Sequence, residues 1–241
     1  MKVLITGATS GLGKQLALDY ARTSHDVIAC GRNAGALEAL ECQCPDNIST
    51  LQFDITSAEA CKTALSNINA IDLVILNAGT CIYAAPLAFK EGHLKSVWDV
   101  NIGYLDYFLP LILPKLTRSS KLVFLSSLAH YMPFSLAAAY GSSKAALNYL
   151  AKSLSVDLAE HGIAVHLVSP GFIDTPLTRK NTFSMPWLQS PVKASKIIRR
   201  GIEKNTQHIR FPFRLWFILA LVSMFPMQWQ VGLAKKLKET S

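Results

Sequence analysis

The chain has 241 residues, of which 50% are hydrophobic and 17% charged, and its mean hydropathy is +0.26. This length and composition exclude a disordered chain and suit one large α/β domain or two small ones, with either an unusually large core or some surface that does not face water. No nucleic-acid-binding motif accompanies the net charge of +8, so a phosphate-bearing cofactor together with a membrane surface explains that charge better than nucleic acid does.

Short apolar runs alternate along the chain with segments of helical periodicity. The runs predict six strands, at residues 2–7, 26–31, 48–56, 72–79, 121–127 and 163–171. The segments between them predict helices, and the two longest cover residues 93–117 and 138–161. Because the strands are continuous apolar runs rather than alternating ones, the pattern predicts a single-domain parallel sheet with helices on both faces.

The chain divides at residue 205 into a main domain, residues 1–205, and a hydrophobic and basic extension, residues 206–241. Within the domain, residues 172–191 hold three prolines and little periodicity, which is typical of a long functional loop or lid. In the extension, the twelve residues 215–226 carry no charge but are too few to span a bilayer, which needs about 20. Three interpretations of the extension stay open: a packed core or dimer helix, the wall of an apolar pocket, and peripheral contact with a membrane.

The five cysteines favour free thiols in a reducing, cytoplasmic compartment, because their number is odd and no secretory signal is evident. The N-terminal run lacks the apolar core of a signal peptide and is interpreted as the first strand. Cys42 and Cys44 are too close together for a common zinc knuckle and lack a histidine cluster. We therefore expect no metal site.

A glycine-rich turn, TGATSGLG, covers residues 6–13 between the first predicted strand and its helix. Gly7, Gly11 and Gly13 would let the backbone turn tightly and approach a pyrophosphate that faces the helix N-terminus. A tight turn without a ligand is the alternative interpretation. The position of the turn, after the first strand of an alternating chain, favours a dinucleotide.

The end of the second predicted strand bears on cofactor preference. An acidic side chain there would bind the ribose 2′-hydroxyl of NAD, whereas this sequence has Gly31 followed by Arg32. Arg32 could pair with a 2′-phosphate, so NADP(H) is the preferred cofactor and NAD(H) the alternative. An arginine in a solvated loop is the other interpretation of this residue.

The segment YGSSK places Tyr140 and Lys144 on one face of a predicted helix made mostly of small residues. A tyrosine with its ordinary pKa near 10 is unsuited to act as a base at neutral pH, and an ammonium one turn away would lower that pKa. The pair therefore predicts an acid–base function for Tyr140, with a half-buried structural tyrosine as the alternative.

Seven motifs follow one another in order: TGATSGLG, FDI at 53–55, NAG at 77–79, VN at 100–101, SS at 126–127, YGSSK at 140–144 and SPGFIDT at 169–175. With these motifs, residues 2–205 resemble the short-chain dehydrogenase/reductase family. The resemblance implies a Rossmann-like, doubly wound parallel sheet in a three-layer α/β/α arrangement. It also implies an oxidoreductase that transfers a hydride between a nicotinamide cofactor and a carbonyl or secondary alcohol.

The resemblance also implies site residues, each matched to a motif of this sequence. The implied catalytic residues are Asn101, Ser127, Tyr140 and Lys144. The implied cofactor-binding residues are Gly7, Thr9, Ser10, Gly11, Leu12, Gly13, Arg32, Asp54, Ile55, Asn77, Ala78, Gly79, Tyr140, Lys144, Pro170, Gly171, Ile173 and Thr175.

Each implied catalytic residue has an expected role. Tyr140 would be the acid/base, and Ser127, or its neighbour Ser126, would hydrogen bond to the substrate oxygen. Asn101 would hold a water that links Lys144 to solvent.

Substrate and partners are less defined. His130 stands where the family often has glycine, so we expect it beside the substrate. The apolar lid and extension fit a hydrophobic small molecule, and no nucleic-acid partner is expected. The resemblance suggests a homodimer or homotetramer built through the helices at 93–117 and 138–161. A non-catalytic dinucleotide-binding or membrane-docking protein is the alternative, which the complete Asn–Ser–Tyr–Lys set disfavours.

Overall fold

The structure, a computed structural model, describes residues 1–181 and 183–239. Its strands are β1 Lys2–Thr6, β2 Asp26–Gly31, β3 Ile48–Gln52, β4 Ile71–Leu76, β5 Leu116–Leu125, β6 Ala164–Pro170 and β7 His208–Phe211. Its helices are α1 Gly11–Ala21, α2 Ala34–Glu41, α3 Ala58–Leu65, α4 His93–Trp98, α5 Leu105–Ile112, α6 Ala138–Asp157, α7 Pro191–Glu203, α8 Phe213–Ser223 and α9 Met227–Glu239. The strands form one parallel sheet in the order β3-β2-β1-β4-β5-β6-β7.

The central strands are buried because both of their faces are covered by helices. Val3, Leu4 and Ile5 of β1 are fully buried, and successive side chains of a strand point to opposite faces. Val3 and Ile5 pack with α1, α2 and α7, whereas Leu4 packs with α3, α5 and α6. Burying each of these side chains stabilises the fold by about 1.5–3 kcal/mol. The predicted single-domain, three-layer α/β/α sheet is confirmed.

The strand order creates a crevice at the carboxyl ends of β1 and β4. These strands are neighbours, but the chain continues from β1 towards β2 on one side and from β4 towards β5 on the other. Open α/β sheets bind their ligands where the connections diverge in this way. The glycine-rich turn follows β1 and the NAG motif follows β4, so both motifs meet at this crevice.

The prediction of one helix over residues 93–117 is wrong. The structure has α4, then a π-helical turn at Asp99–Gly103, then α5 and a short 3-10 turn at Leu113–Lys115. Pro114 has no N–H to continue the helical hydrogen bonds, and α5 ends just before it. Strand β5 then begins at Leu116 rather than at residue 121 as predicted. The apolar periodicity did not reveal these interruptions because every segment remains apolar.

The sheet extends past the boundary that we drew at residue 205. Helix α7 begins with Pro191 after Ser190, whose side chain accepts a hydrogen bond from the N–H of Lys193. Helix α7 is followed by β7, which pairs with β6 and forms that edge of the sheet. The spacing of apolar residues in α7 is typical of an amphipathic helix. The sequence analysis did not predict this helix because the prolines of the preceding lid suggested an irregular loop.

The last two helices, residues 213–239, form a C-terminal hairpin. Its inner face packs on the main domain through Leu215 and Leu219, which cluster with Leu128 and Met132. Its outer face exposes large apolar side chains: Phe213, Phe217, Ile218, Leu221, Met224, Phe225, Met227, Trp229 and Leu233. Within the part of the chain that the structure describes, no helix has both the length and the apolar character needed to cross a membrane.

Candidate active site

A cavity of about 640 Å³ opens at the carboxyl ends of β1, β4, β5 and β6. Every predicted cofactor-binding residue lines it, and so does Ser127. It is also lined by residues that the sequence analysis did not assign, namely Thr6, Cys30, Gly31, Asn33, Phe53, Val100, Leu125, Pro176, Leu177 and Thr178. Most of these are sequence neighbours of predicted residues, so the motifs located the cavity but not its full lining.

The glycine-rich turn forms one wall of the cavity. Gly7 and Gly11 have φ angles of +67° and +53°, in the left-handed region that favours glycine. A Cβ on Gly13 would lie 2.3 Å from the carbonyl oxygen of Gly7 and 2.4 Å from Nδ2 of Asn77. The backbone therefore requires glycine at all three positions.

The N-terminus of α1 points into this wall without a side-chain cap. Ser10, the residue before the helix, has extended backbone, and its hydroxyl makes no capping hydrogen bond. The first N–H groups of a helix have no partner within the helix, and the helix dipole makes this end partly positive. The uncapped end fits a phosphate, and the glycine-rich turn leaves room for a pyrophosphate to approach it.

Asn77 joins the ends of β1 and β4. Its backbone N–H donates to Oγ1 of Thr6 at 3.0 Å, and its Nδ2 donates to the carbonyl oxygens of Thr6 and Gly7 at 3.0 and 3.1 Å. These bonds fix the shape of the glycine-rich turn relative to the neighbouring strand. Asn77 thus supports the cavity wall as well as lining it.

Arg32 and Asp54 stand at the end of the cavity near β2 and β3. Nη1 of Arg32 lies 3.4 Å from Oδ2 of Asp54, and the two side chains are 70% and 43% exposed. An exposed pair of this kind is worth at most about 1 kcal/mol, so it holds Arg32 only weakly. Partial burial alone would raise the pKa of Asp54, but hydrogen bonds from Thr56 and from Arg32 lower it below its ordinary value.

Tyr140 and Ser127 meet in the cavity. Tyr140 lies in the first turn of α6, and the side chain of Ser127, which follows β5, is close enough to its hydroxyl to lower the Tyr140 pKa. Ser127 Oγ also accepts a 3.1 Å hydrogen bond from the N–H of Ala129, which fixes its orientation. Burial raises the pKa of Tyr140 to about 12, and the interaction with Ser127 offsets only part of that increase.

Lys144 lies one helical turn after Tyr140 and is buried. Its Nζ donates a 2.8 Å hydrogen bond to the carbonyl oxygen of Leu125 and lies 5.7 Å from the centroid of the Tyr140 ring. Burial lowers the pKa of Lys144 to about 8. We expected Lys144 to bring the pKa of Tyr140 below its ordinary value, but burial of the phenol dominates and raises that pKa.

Ser126 and Ser127 have different environments. Ser126 is buried, its hydroxyl donates to the carbonyl oxygen of Lys144 at 3.2 Å, and it accepts a short hydrogen bond from Nδ2 of Asn148. These bonds tie β5 to α6. Ser127, rather than Ser126, is the serine that contacts Tyr140.

Asn101 is the one predicted catalytic residue outside the cavity lining. It is buried in the π-helical turn, where its Oδ1 accepts from the N–H of Thr80 at 2.7 Å. Its Nδ2 donates to the carbonyl oxygen of Thr80 at 3.0 Å and to Oγ of Ser143 at 2.9 Å. A Cβ on Gly79 would lie 3.4 Å from Asn101 Oδ1 and 3.5 Å from Lys144 Nζ. Asn101 therefore holds the segment after β4 close to Lys144.

His130 does not line the cavity, and its expected position beside the substrate stays a prediction. Its Nδ1 lies 2.5 Å from the carbonyl oxygen of Ser127. Its ring packs against Tyr131 and His208, with centroid distances of 4.1 and 6.5 Å. One of these partners, His208, belongs to β7, a strand that the sequence did not predict.

Aromatic side chains connect the lid to the segment after β4. The ring of Tyr83 meets that of Phe183 edge-on at 5.8 Å, and Phe183 meets Phe172 at 6.0 Å. Cys81, two residues before Tyr83, is close enough to influence the pKa values of Tyr140 and Lys144. Sequence reasoning missed Tyr83 and Cys81 because no motif marks them and their position depends on how the lid folds.

Within residues 1–181 and 183–239, no group of three or more His, Cys, Asp or Glu side chains is placed to hold a metal ion.

Known proteins resemble this chain in sequence and in fold. A family model described as short chain dehydrogenase matches residues 1–185. An uncharacterized oxidoreductase of Myxococcus xanthus is 32% identical over 232 residues, which cover 92% of each chain.

Two solved structures share the fold. A short-chain dehydrogenase from Sphingobium yanoikuyae in complex with NADPH has a TM-score of 0.79 at 22% identity, covering 93% of this chain and 96% of that one. A short-chain dehydrogenase/reductase from Burkholderia phymatum in complex with NAD has a TM-score of 0.82 at 16% identity, covering 91% and 92%. With its family match, sheet topology and cavity, this chain belongs to the short-chain dehydrogenase family of oxidoreductases.

Proposed function

We propose that this protein is an NADPH-dependent reductase or dehydrogenase that interconverts a carbonyl and a secondary alcohol. The observation that carries the proposal is that Tyr140, Ser127 and Lys144 line the same cavity as the glycine-rich turn. The turn and the uncapped N-terminus of α1 suit the pyrophosphate, while the three side chains suit a carbonyl at the other end of the cofactor.

The proposed chemistry needs a hydride and a proton. When bound, the nicotinamide dinucleotide supplies the hydride. Tyr140 supplies the proton, because a phenol with a pKa of about 12 is fully protonated at neutral pH. Ser127 donates a hydrogen bond to the same carbonyl oxygen and stabilises the negative charge that develops on it.

Lys144 and Asn101 have supporting roles in this proposal. Below its pKa of about 8, Lys144 is cationic and stabilises the phenolate that Tyr140 becomes after it gives up its proton. Lys144 would also hydrogen bond with the nicotinamide ribose. Asn101 acts as a positioning residue, because its bonds to Thr80 fix the chain next to Lys144.

The proposed preference for NADP(H) over NAD(H) rests on Arg32. One related structure contains NADPH and another NAD, so membership of the family does not set the preference. Arg32 lines the cavity after β2, where the sequence has no acidic residue to bind a ribose 2′-hydroxyl. Because its pairing with Asp54 is weak, the guanidinium can turn to a 2′-phosphate at little cost.

The proposed substrate is hydrophobic. The lid contributes Phe172 and Phe183, which pack edge to face, and Tyr83 packs against Phe183. Next to the lid, Leu128 and Met132 pack with Leu215 of the C-terminal hairpin. This apolar surrounding favours a substrate whose carbonyl is its main polar group.

We also propose two kinds of assembly. The C-terminal hairpin would make peripheral contact with a membrane through its exposed apolar side chains. A homodimer or homotetramer would cover α6, whose Tyr149 and Val156 are 79% and 72% exposed.

The function is tested by Tyr140→Phe. Steroids, retinoids, fatty aldehydes and 3-oxoacyl thioesters would be screened with NADPH, and oxidation of NADPH followed by its absorbance. Loss of the proton donor should lower kcat by at least about 10³-fold, while the Kd for NADPH changes less than about twofold. Tyr149→Phe, an exposed change on the same helix, is the matched control and should leave both values unchanged. Retained turnover in Tyr140→Phe would remove Tyr140 from the mechanism, and NADPH binding without turnover of any carbonyl would favour the non-catalytic alternative.

A further inference from the structure

Helix α8 is apolar on nearly all sides, yet the main domain covers only one of them. Leu215 and Leu219 are buried, whereas Phe213, Phe217 and Leu221 are 66%, 48% and 46% exposed. Helices that are apolar all round are normally buried on all sides, and a large exposed apolar patch marks an interaction surface. The outer face of the C-terminal hairpin therefore has the character of an interaction surface.

This outer face is an ordered surface. The rings of Phe213 and Phe217 stack at 5.9 Å, and those of Phe225 and Trp229 stack at 5.5 Å. Nε2 of Gln230 in α9 donates hydrogen bonds to the carbonyl oxygen of Ser223, the last residue of α8, at 3.3 Å and to that of Phe225 in the linker at 2.8 Å. Both helices thus carry stacked aromatic rings with exposed apolar side chains.

Charge identifies what this face meets. Residues 204–238 contain six Lys and Arg residues and no Asp or Glu. Arg214 is exposed beside Phe213, and the guanidinium of Arg210 lies 4.2 Å from the Trp216 ring centroid. In a symmetric dimer the same face would meet itself and bring these cations together. An anionic bilayer instead accepts apolar side chains in its acyl region and cations at its headgroups.

The inner face of α8 contacts the walls of the candidate active site. Leu215 Cδ2 would lie 2.8 Å from a Cβ on Gly171, and Gly171 lines the cavity. Leu215 also clusters with Leu128, the residue after Ser127, and with Phe172 at the base of the lid. A single helix therefore lies between the catalytic cavity and the exposed apolar surface.

We propose that the C-terminal hairpin lies in the interface of an anionic membrane, with its outer face among the acyl chains. Helix α8 then forms the wall along which an apolar carbonyl compound dissolved in the bilayer reaches Tyr140. The substrate class is accordingly a membrane-resident lipid with a ketone or aldehyde group. This second part rests on the reductase function proposed above.

Membrane docking is tested by flotation of the full chain with vesicles of phosphatidylcholine alone or mixed with phosphatidylglycerol. The wild type should float with the mixed vesicles and bind the neutral ones at least tenfold more weakly. The double variant Phe217→Gln/Leu221→Gln should bind the mixed vesicles at least tenfold more weakly. Leu87→Gln, which changes a fully exposed leucine elsewhere on the chain, should bind as the wild type does. Circular dichroism and the Kd for NADPH verify that each variant is folded.

Substrate passage is tested with two ketones and NADPH, a short water-soluble 2-alkanone and a long-chain 2-alkanone carried in the mixed vesicles. The double variant should lose at least tenfold in kcat/KM for the long ketone and less than twofold for the short one. Equal losses on both ketones would overturn the passage role of α8.

Docking is overturned if the wild type stays out of the floating fraction or if the double variant floats as well as the wild type. A wild-type dimer that dissociates in the double variant, without vesicle binding by either, would assign the face to a second copy and also overturn it. If no carbonyl supports oxidation of NADPH, the proposed function and the passage role fail together, whereas flotation still decides docking by itself.

Discussion

The glycine-rich turn and the C-terminal hairpin both border the cavity, but different forces fix their shapes. The turn is determined by backbone geometry: Gly7 and Gly11 have positive φ, and Gly13 has no room for a Cβ. The hairpin is held by two leucines on a surface more than 80 residues earlier in the chain, and it leaves its other face exposed. A shape set by residue type can be read in a short motif, whereas a shape set by distant packing cannot.

The largest expected effect would come from breaking the turn with Gly13→Ala. The new methyl group would overlap the carbonyl of Gly7 and the amide of Asn77, which its own hydrogen bonds hold in place. We expect the free energy of unfolding to fall by about 3 kcal/mol and the Kd for NADPH to rise, as measured by urea denaturation and fluorescence titration.

Gly35→Ala is the matched control for that change. Gly35 is exposed on α2, and the nearest atom to a Cβ there is Oδ1 of Asn33 at 3.8 Å. An alanine in a helix should stabilise the fold by about 0.5–1 kcal/mol. A similar loss of stability in both variants would contradict the steric argument for Gly13.

Arg32→Asp should have the next largest effect and tests the proposed role of Arg32 at the end of the cavity near β2. The substitution removes the cation proposed for the 2′-phosphate and adds a carboxylate that can bind a ribose hydroxyl. We expect kcat/KM for NADPH to fall about 100-fold and that for NADH to change by less than about threefold. Lys62→Asp makes the same change in charge at an exposed position of α3 and should leave kcat/KM unchanged for both cofactors. Equal losses with NADPH and NADH would exclude the phosphate role of Arg32.

Truncating side chains on the two faces of α8 should change the free energy of unfolding by different amounts. This difference tests how the C-terminal hairpin is held. Leu219→Ala creates a cavity beside Leu128 and should lower the free energy of unfolding by about 2 kcal/mol. Phe217→Ala removes a half-exposed side chain and should change it by less than about 0.5 kcal/mol. Urea denaturation of both variants checks the difference, and equal effects would mean that the outer face is covered within the monomer.

The smallest effect concerns pH and the centre of the cavity. Lys144, with a pKa of about 8, is cationic below that pH and neutral above it, whereas Tyr140, with a pKa of about 12, stays protonated throughout. We therefore expect kcat/KM for carbonyl reduction to be level up to about pH 8 and to fall about tenfold per pH unit above it. A pH–rate profile checks this, with NADPH affinity measured at each pH as the control. A level profile up to pH 10 would show that the charge of Lys144 is not required.

What could be predicted from the sequence follows the same division between local and distant causes. The six predicted strands, the three glycines and the pair formed by Tyr140 and Lys144 depend on residue type or on spacing within one element, and the structure brings the predicted cofactor-binding residues into one cavity. The orientation of His130 and the pKa of Tyr140 depend on β7 and on burial, so no local pattern encodes them. Strand β7 itself was missed because it is short and follows a helix that the lid obscured.

The π-helical turn at Asp99–Gly103 places a constraint on chain length. Such a turn contains one residue more than an α-helical turn, so deleting a residue there would restore regular helical hydrogen bonding. The deletion would also rotate the two flanking helical segments by about 100° relative to each other. Asn101 and Tyr107, whose hydroxyl donates to the carbonyl oxygen of Ile55 at 2.6 Å, could then no longer keep both sets of contacts. A shorter chain would give a more regular helix but would break the contacts of Asn101 or those of Tyr107. Insertions and deletions at this point are therefore a more sensitive probe of the site than substitutions.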